Sequence, residues 1–165
     1  MLAVSNTTPL RYLIAIEQQH LLGQLFEKVV VPASVHEELT EARTPESVRR
    51  YILSLPAWYE VRKAPENQAA SFPVTLHRGE REAILLAEIL RPDVILIDEQ
   101  AGRTIALSRN LPVSGTLGIL ERADTIGIAM DFPQVLKQLK AGGFFIAESL
   151  EQQLLVRYRA RRAAK

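Results

Sequence analysis

The 165-residue chain contains no cysteine, which excludes disulfides and thiolate metal sites. Histidine is scarce too: only His20, His36 and His77 are present, so chemistry falls mainly to carboxylates and hydroxyls. No apolar stretch approaches the roughly 20 residues that a membrane helix needs, and the opening Met1–Leu10 lacks the basic start and apolar run of a signal peptide. A cytoplasmic protein with no membrane association is the expectation. Neither G-x-x-x-x-G-K-[ST] nor G-x-G-x-x-G occurs, which leaves little weight for a phosphatase or nucleotide-binding α/β protein. Net charge is close to nil, 20 Lys and Arg against 19 Asp and Glu, so a nucleic-acid partner is neither announced nor forbidden.

Hydrophobic residues make up 47% of the chain and charged residues 24%, the balance of an ordinary globular protein. There are no repeats, no low-complexity tract and no interdomain linker. The length favours one domain, with residues 1–150 as its body and 151–165 as a C-terminal helix and basic tail. From Val156 to Lys165 the tail carries five positive charges and no acid. It could contact RNA phosphates or be a solvated, partly frayed helix end.

Leu2–Ser5 is a short apolar run ending at a polar cluster, as a buried strand does. Pro9 suits the first turn of a helix reaching Ile16. A short helix near Leu21–Phe26 and a strand Val29–Val31 follow. Ser34 is placed as the N-cap of a helix through Val35, Leu39 and Ala42. Residues 45–55 read as an amphipathic helix, Trp58–Val61 as an edge strand, and 62–75, with Pro65, Asn67, Ser71 and Pro73, as a loop. Gly79 opens a helix to Leu90 with Ala83, Ile84, Ala87 and Leu90 on one stripe. Val94–Ile97 is a buried strand stopping at Asp98-Glu99. A helix over 101–109, a strand over 112–114 and a helix over 116–125 follow. After a helix over 132–140, Phe144–Ile146 reads as a short strand and Glu148–Arg162 as the closing helix. Strands alternating with helices indicate a parallel sheet covered on both faces.

Such sheets bind ligands beyond the C-terminal ends of their strands. The first strand ends at Asn6-Thr7-Thr8 and the central strand of the second half at Asp98-Glu99. Glu38 lies on the helix after the second strand, and Glu80 in the first turn of the helix before Asp98. Carboxylates brought together raise one another's pKa unless a cation compensates. Oxygen donors with few histidines select Mg²⁺ or Mn²⁺ over zinc, and such ions act on phosphodiesters. Taken singly, each acid reads as well as a solvated side chain, and Glu80 as a favourable charge at a helix N-terminus.

Five segments together resemble the PIN-domain family. Val4-Ser5-Asn6-Thr7-Thr8-Pro9-Leu10 is similar to the opening strand of PIN domains, where Asp-Thr-Ser-Pro-Leu is usual. Val35-His36-Glu37-Glu38-Leu39 resembles the Val-x-x-Glu-Leu helix that follows. Leu76–Ile84, with Gly79-Glu80-Arg81-Glu82-Ala83-Ile84, resembles the Gly-Glu-x-Glu-Ala-Ile helix of a toxin-like subfamily. Leu96–Arg103 resembles its Ile-Asp-Asp-x-x-x-Arg turn, and Gly115-Thr116-Leu117-Gly118 its Gly-Thr-Leu-Gly motif. The match runs in order from residue 2 to about 150.

The resemblance implies a three-layer α/β/α fold with a central, mostly parallel sheet. It implies an endoribonuclease acting on single-stranded RNA with Mg²⁺ or Mn²⁺, related to VapC-type toxins of bacterial toxin–antitoxin pairs, homodimeric and with a cognate antitoxin protein as partner. Carried over by position, Asn6, Glu38, Glu80 and Asp98 with Glu99 become the catalytic and metal-binding set, the choice between Asp98 and Glu99 being open. Thr7, Thr8 and Thr116 could bond ligand or phosphate, Thr8 being equally suited to capping a helix. Arg103 could meet phosphate or pair with an acid. His77 reads as a surface residue.

Asn6 departs from the family pattern. An asparagine offers a carbonyl oxygen but no charge, which weakens a hard-cation site. Three accounts fit: a natural variant with residual activity, a non-catalytic module that binds RNA or an antitoxin, or a deliberate Asp→Asn change permitting expression of a toxic protein. The apolar faces at Leu10, Tyr12, Leu13 and Ile16, and at Leu150, Leu154 and Leu155, are candidates for a dimer or antitoxin surface, with core packing as the prior explanation.

Overall fold

Alternation along each strand explains how one sheet comes to have two cores. The computed structural model describes residues 1–66 and 71–164. Its five strands are β1 (Leu2–Ser5), β2 (Lys28–Pro32), β3 (Tyr59–Arg62), β4 (Val94–Leu96) and β5 (Val113–Ser114). They form one all-parallel sheet in the order β3-β2-β1-β4-β5. Successive side chains point to opposite faces. Ala3, Val29, Val31 and Leu96 therefore enter one apolar cluster, while Val4, Val30, Ile95 and Ile97 enter another. Both faces being covered, the strands read as continuous apolar runs.

The first cluster is roofed by α1 (Thr7–Ala15), α2 (His20–Leu25), α3 (Ala33–Thr40), α4 (Glu46–Leu53), α7 (Thr116–Thr125), α8 (Phe132–Ala141) and α9 (Glu148–Ala163); the second by α5 (Arg78–Leu90) and α6 (Gln100–Ser108). This is the α/β/α sandwich expected from the sequence. Among the described residues, no helix is long and apolar enough to cross a membrane.

Leu10, Leu13 and Leu154 are buried, as is Ile16, while Tyr12 and Leu155 pack partly against the same cluster. Core packing accounts for those two faces, leaving Leu150 as their one exposed large apolar side chain.

Three local expectations change. Ser34 is not a cap: α3 begins two residues earlier than expected, with Pro32 at the N-cap position, and the Ser34 hydroxyl donates to Glu82 instead. Phe144–Ile146 forms no strand. Phe144 meets the Tyr12 ring edge-on at 5.0 Å and Ile146 enters the core while Phe145 stands exposed, so packing of a loop produces the alternation that suggested pairing. Over its described residues, up to Ala164, the basic tail is neither frayed nor wholly free. It is the end of α9, and Arg157, Arg161 and Arg162 are paired with Glu121 and Asp124 of α7. Asn67, assigned to the long loop, and Lys165 lie outside the described residues.

Candidate active site

The register of β1 and β4 sets the site. Ser5 pairs with Leu96, and the next residue, Asn6, continues the ladder by donating its backbone N–H to Leu96 O at 3.0 Å. The polar ends of two strands made far apart in the chain thus become neighbours at one sheet edge. Asn6 then caps α1 in extended conformation, which presents Thr7 and Thr8 on the first turn.

Asp98 and Glu99 leave β4 with different fates. Glu99 turns back towards β1: its Oε2 accepts from Asn6 Nδ2 at 3.2 Å, and its Oε1 accepts a short hydrogen bond from the Thr8 hydroxyl. Asp98 turns towards α7, where it accepts from the Thr116 backbone N–H at 2.8 Å and the Thr116 hydroxyl at 2.6 Å. That contact satisfies an otherwise open donor at the start of α7. Burial holds the Asp98 carboxyl above its ordinary value, and the two bonds from Thr116 oppose this without cancelling it. Arg103 Nη1 donates to Ile97 O at 2.9 Å, and its charge draws the neighbouring Asp98 carboxyl down.

Glu38 arrives from α3, its Oε2 accepting from the Thr7 hydroxyl at 2.8 Å. Glu80 arrives from α5, with Oε2 accepting from the His77 backbone N–H at 2.9 Å. Its other oxygen, Oε1, is buried with no protein partner. Burial raises the Glu80 carboxyl; the His77 bond opposes this, and the nearby charges of Glu99 and Glu38 add to it. Two glycines permit the close approach. A Cβ on Gly79 would stand 3.1 Å from Val35 and 3.3 Å from Asn6 Oδ1, and one on Gly102 would stand 2.9 Å from Glu80 Oε1.

The result is an open cleft of about 460 Å³ bordered by Asn6, Thr7, Thr8, Glu38, Glu80 and Glu99. Asp98, Arg103 and Thr116 are not on its wall. The cleft also takes in Ser34, Glu37, Glu41, Arg43, His77 and Arg78, of which Arg43 and Arg78 had no signal in the sequence beyond adjacency to acids. Arg43 pairs with Glu41 at 2.5 Å and Arg78 with Glu82 at 2.8 Å. Among the described residues, Glu38, Glu80 and Glu99 form no salt bridge, and only the His77 side chain opposes the acid charge at Glu80.

The donors facing this space, carboxylate oxygens, the Asn6 carbonyl and hydroxyls, suit a hard divalent ion. The buried open oxygen of Glu80 is where such a ligand set is short of a positive charge. Among the described residues, however, no three His, Asp or Glu side chains already form a metal cage. Glu99 is engaged by Asn6 and Thr8, and Glu38 by Thr7.

A family model described as "DUF3368: PIN domain" matches residues 2–160, nearly the whole chain. The search of curated proteins returned no match.

Proposed function

This chain belongs to the PIN-domain family, and on that premise we propose that its cleft is the site of a Mg²⁺- or Mn²⁺-dependent endoribonuclease acting on single-stranded RNA. The observation that carries this reading is the group of Glu38, Glu80 and Glu99 at one sheet edge with no salt bridge among the described residues, and with Glu80 Oε1 buried and without a hydrogen-bond partner among them. Glu38, Glu80, Glu99 and the Asn6 carbonyl would hold the ion. When bound, it would supply charge stabilisation and an activated water.

The chain's own residues do the rest. Thr7 and Thr8 orient Glu38 and Glu99, as outer-shell hydrogen bonds orient ligands generally. The His77 amide fixes the Glu80 carboxyl. Asp98 and Thr116 act at one remove, holding the start of α7 against the end of β4. By the same reading the protein is a VapC-like toxin, working in the cytoplasm as a homodimer and held in check by a cognate antitoxin protein.

One contact favours a second reading. The Asn6 amide donates to Glu99 where an aspartate could only repel it, so Glu99 is neutralised in part by hydrogen bonds rather than by an ion. A non-catalytic module of the same fold, binding RNA or an antitoxin, is the function that follows if this contact wins.

The deciding experiment is cleavage of single-stranded RNA with Mn²⁺ by the chain and its Asn6→Asp variant. A charge in contact with the ion contributes on the order of 1–4 kcal/mol, so metal affinity and cleavage should rise about tenfold or more and be abolished by EDTA. No cleavage by either protein, with both folded and binding Mn²⁺, would overturn the nuclease reading in favour of the binding module.

A further inference from the structure

A polyanion cannot enter an acidic cleft unless its own charge is met at the rim. Arg78, at the first position of α5, is placed to do this. It lines the acidic cleft and also an adjoining depression of about 240 Å³ bordered by Pro65, Glu66, Arg81, Glu82 and Leu85. Its guanidinium is fixed rather than free. The Ser34 hydroxyl donates to one oxygen of Glu82, and the other oxygen accepts from Arg78 Nε at 2.8 Å. That leaves the two Nη groups of a side chain 65% exposed, with Glu37 on the side of the cleft and Glu66 on the side of the depression sensed as more distant charges.

We propose that Arg78 carries the substrate's phosphate backbone out of the acidic cleft into this depression, gripping a phosphate next to the one being cut. The inference rests on the nuclease reading of the cleft. Three features support it. The forked guanidinium suits phosphate better than an ammonium does. The bond from Nε to Glu82 holds the guanidinium in place while its Nη groups remain open to an anion. The depression beyond offers the exposed Pro65 ring, over a floor formed by the buried Leu85, as apolar ground for an unstacked base, which single-stranded RNA presents. Arg78 is therefore a positioning residue that acts on binding and leaves the chemical step alone.

The test compares the full chain with Arg78→Ala, Arg78→Lys and Lys137→Ala, the last removing one exposed charge from α8. Binding of a fluorescein-labelled single-stranded oligoribonucleotide is followed with Ca²⁺ in place of Mn²⁺, across a salt series, and cleavage with Mn²⁺. Arg78→Ala should weaken binding and raise KM about tenfold with kcat within about twofold, and lower the salt slope by about 0.7, one phosphate contact. Arg78→Lys should keep the slope and recover part of the affinity, and Lys137→Ala should match the parent. Equal affinity, slope and KM for Arg78→Ala and the parent would overturn the role of Arg78 while leaving the nuclease intact. A parent that neither binds nor cleaves RNA would overturn the reading of the cleft, and this inference with it.

Discussion

Two buried acids in this molecule have opposite surroundings. Asp124 on α7 has a side chain with no exposed surface, and it is met by Arg161 Nε at 2.6 Å and Arg162 Nη2 at 2.9 Å from α9. Glu80 on α5 is 3% exposed, and it is met by one backbone N–H and, on its second oxygen, by nothing. The first arrangement is closed: two helices supply charge and counter-charge and are fastened together by them. The second is open, since no group among the described residues completes it. A buried charge left incomplete destabilises a fold, so an acid of the Glu80 kind points to something outside the chain, whereas one of the Asp124 kind explains itself.

That contrast can be broken at its closed end with the largest effect. Asp124→Ala removes the acid on which two arginines converge and leaves the already unsatisfied Arg161 Nη2 more exposed to the loss. Breaking a buried pair from one side is strongly destabilising. Because both arginines reach solvent, the expected fall in the thermal midpoint is moderate, roughly 5–10 °C, followed by circular dichroism. Mn²⁺ affinity of the folded protein should not change. If affinity falls as much as the midpoint does, the two regions are coupled and the contrast fails.

At the open end the sign reverses. Burial raises the Glu80 carboxyl, so its ionised form opposes folding. This penalty is absent where both folded and unfolded chains are protonated, and it grows as pH rises through the ordinary carboxylate range. Glu80→Gln should therefore raise the midpoint by roughly 2–4 °C at neutral pH, and by less at pH 4, while weakening Mn²⁺ binding. Destabilisation at pH 7 would show that the carboxylate already has a partner. The smallest change lies at the exposed rim of the closed region. Arg157→Ala, which breaks the pair with Glu121, should move the midpoint by no more than about 2 °C.

The strands, the long helices and the polar ends of β1 and β4 were legible because period and apolar runs reflect burial directly. Asn6, Glu38, Glu80 and Glu99 could be placed near one edge from the topology of a parallel sheet. The choice between Asp98 and Glu99 was not legible, since it depends on which side of β4 holds α7 and which holds β1. Ser34 reads as a cap by residue type, yet its hydroxyl is engaged by Glu82, 48 positions away. The tail arginines read as free charge because their acids sit on another helix. In each case the missing information is a contact between elements remote in sequence.

The same remoteness gives the cleft a history. Asn6 and Glu99 are 93 positions apart, so at about 5–20 residues per second of synthesis the two are made roughly 5–19 s apart. Until β4 emerges and docks beside β1, Asn6, Glu38 and Glu80 lack Glu99, the side chain that closes the cleft on the β4 side. A nascent or truncated chain ending before β4 thus has an incomplete cleft, and the closed cleft reports that β4 has joined β1 in the sheet.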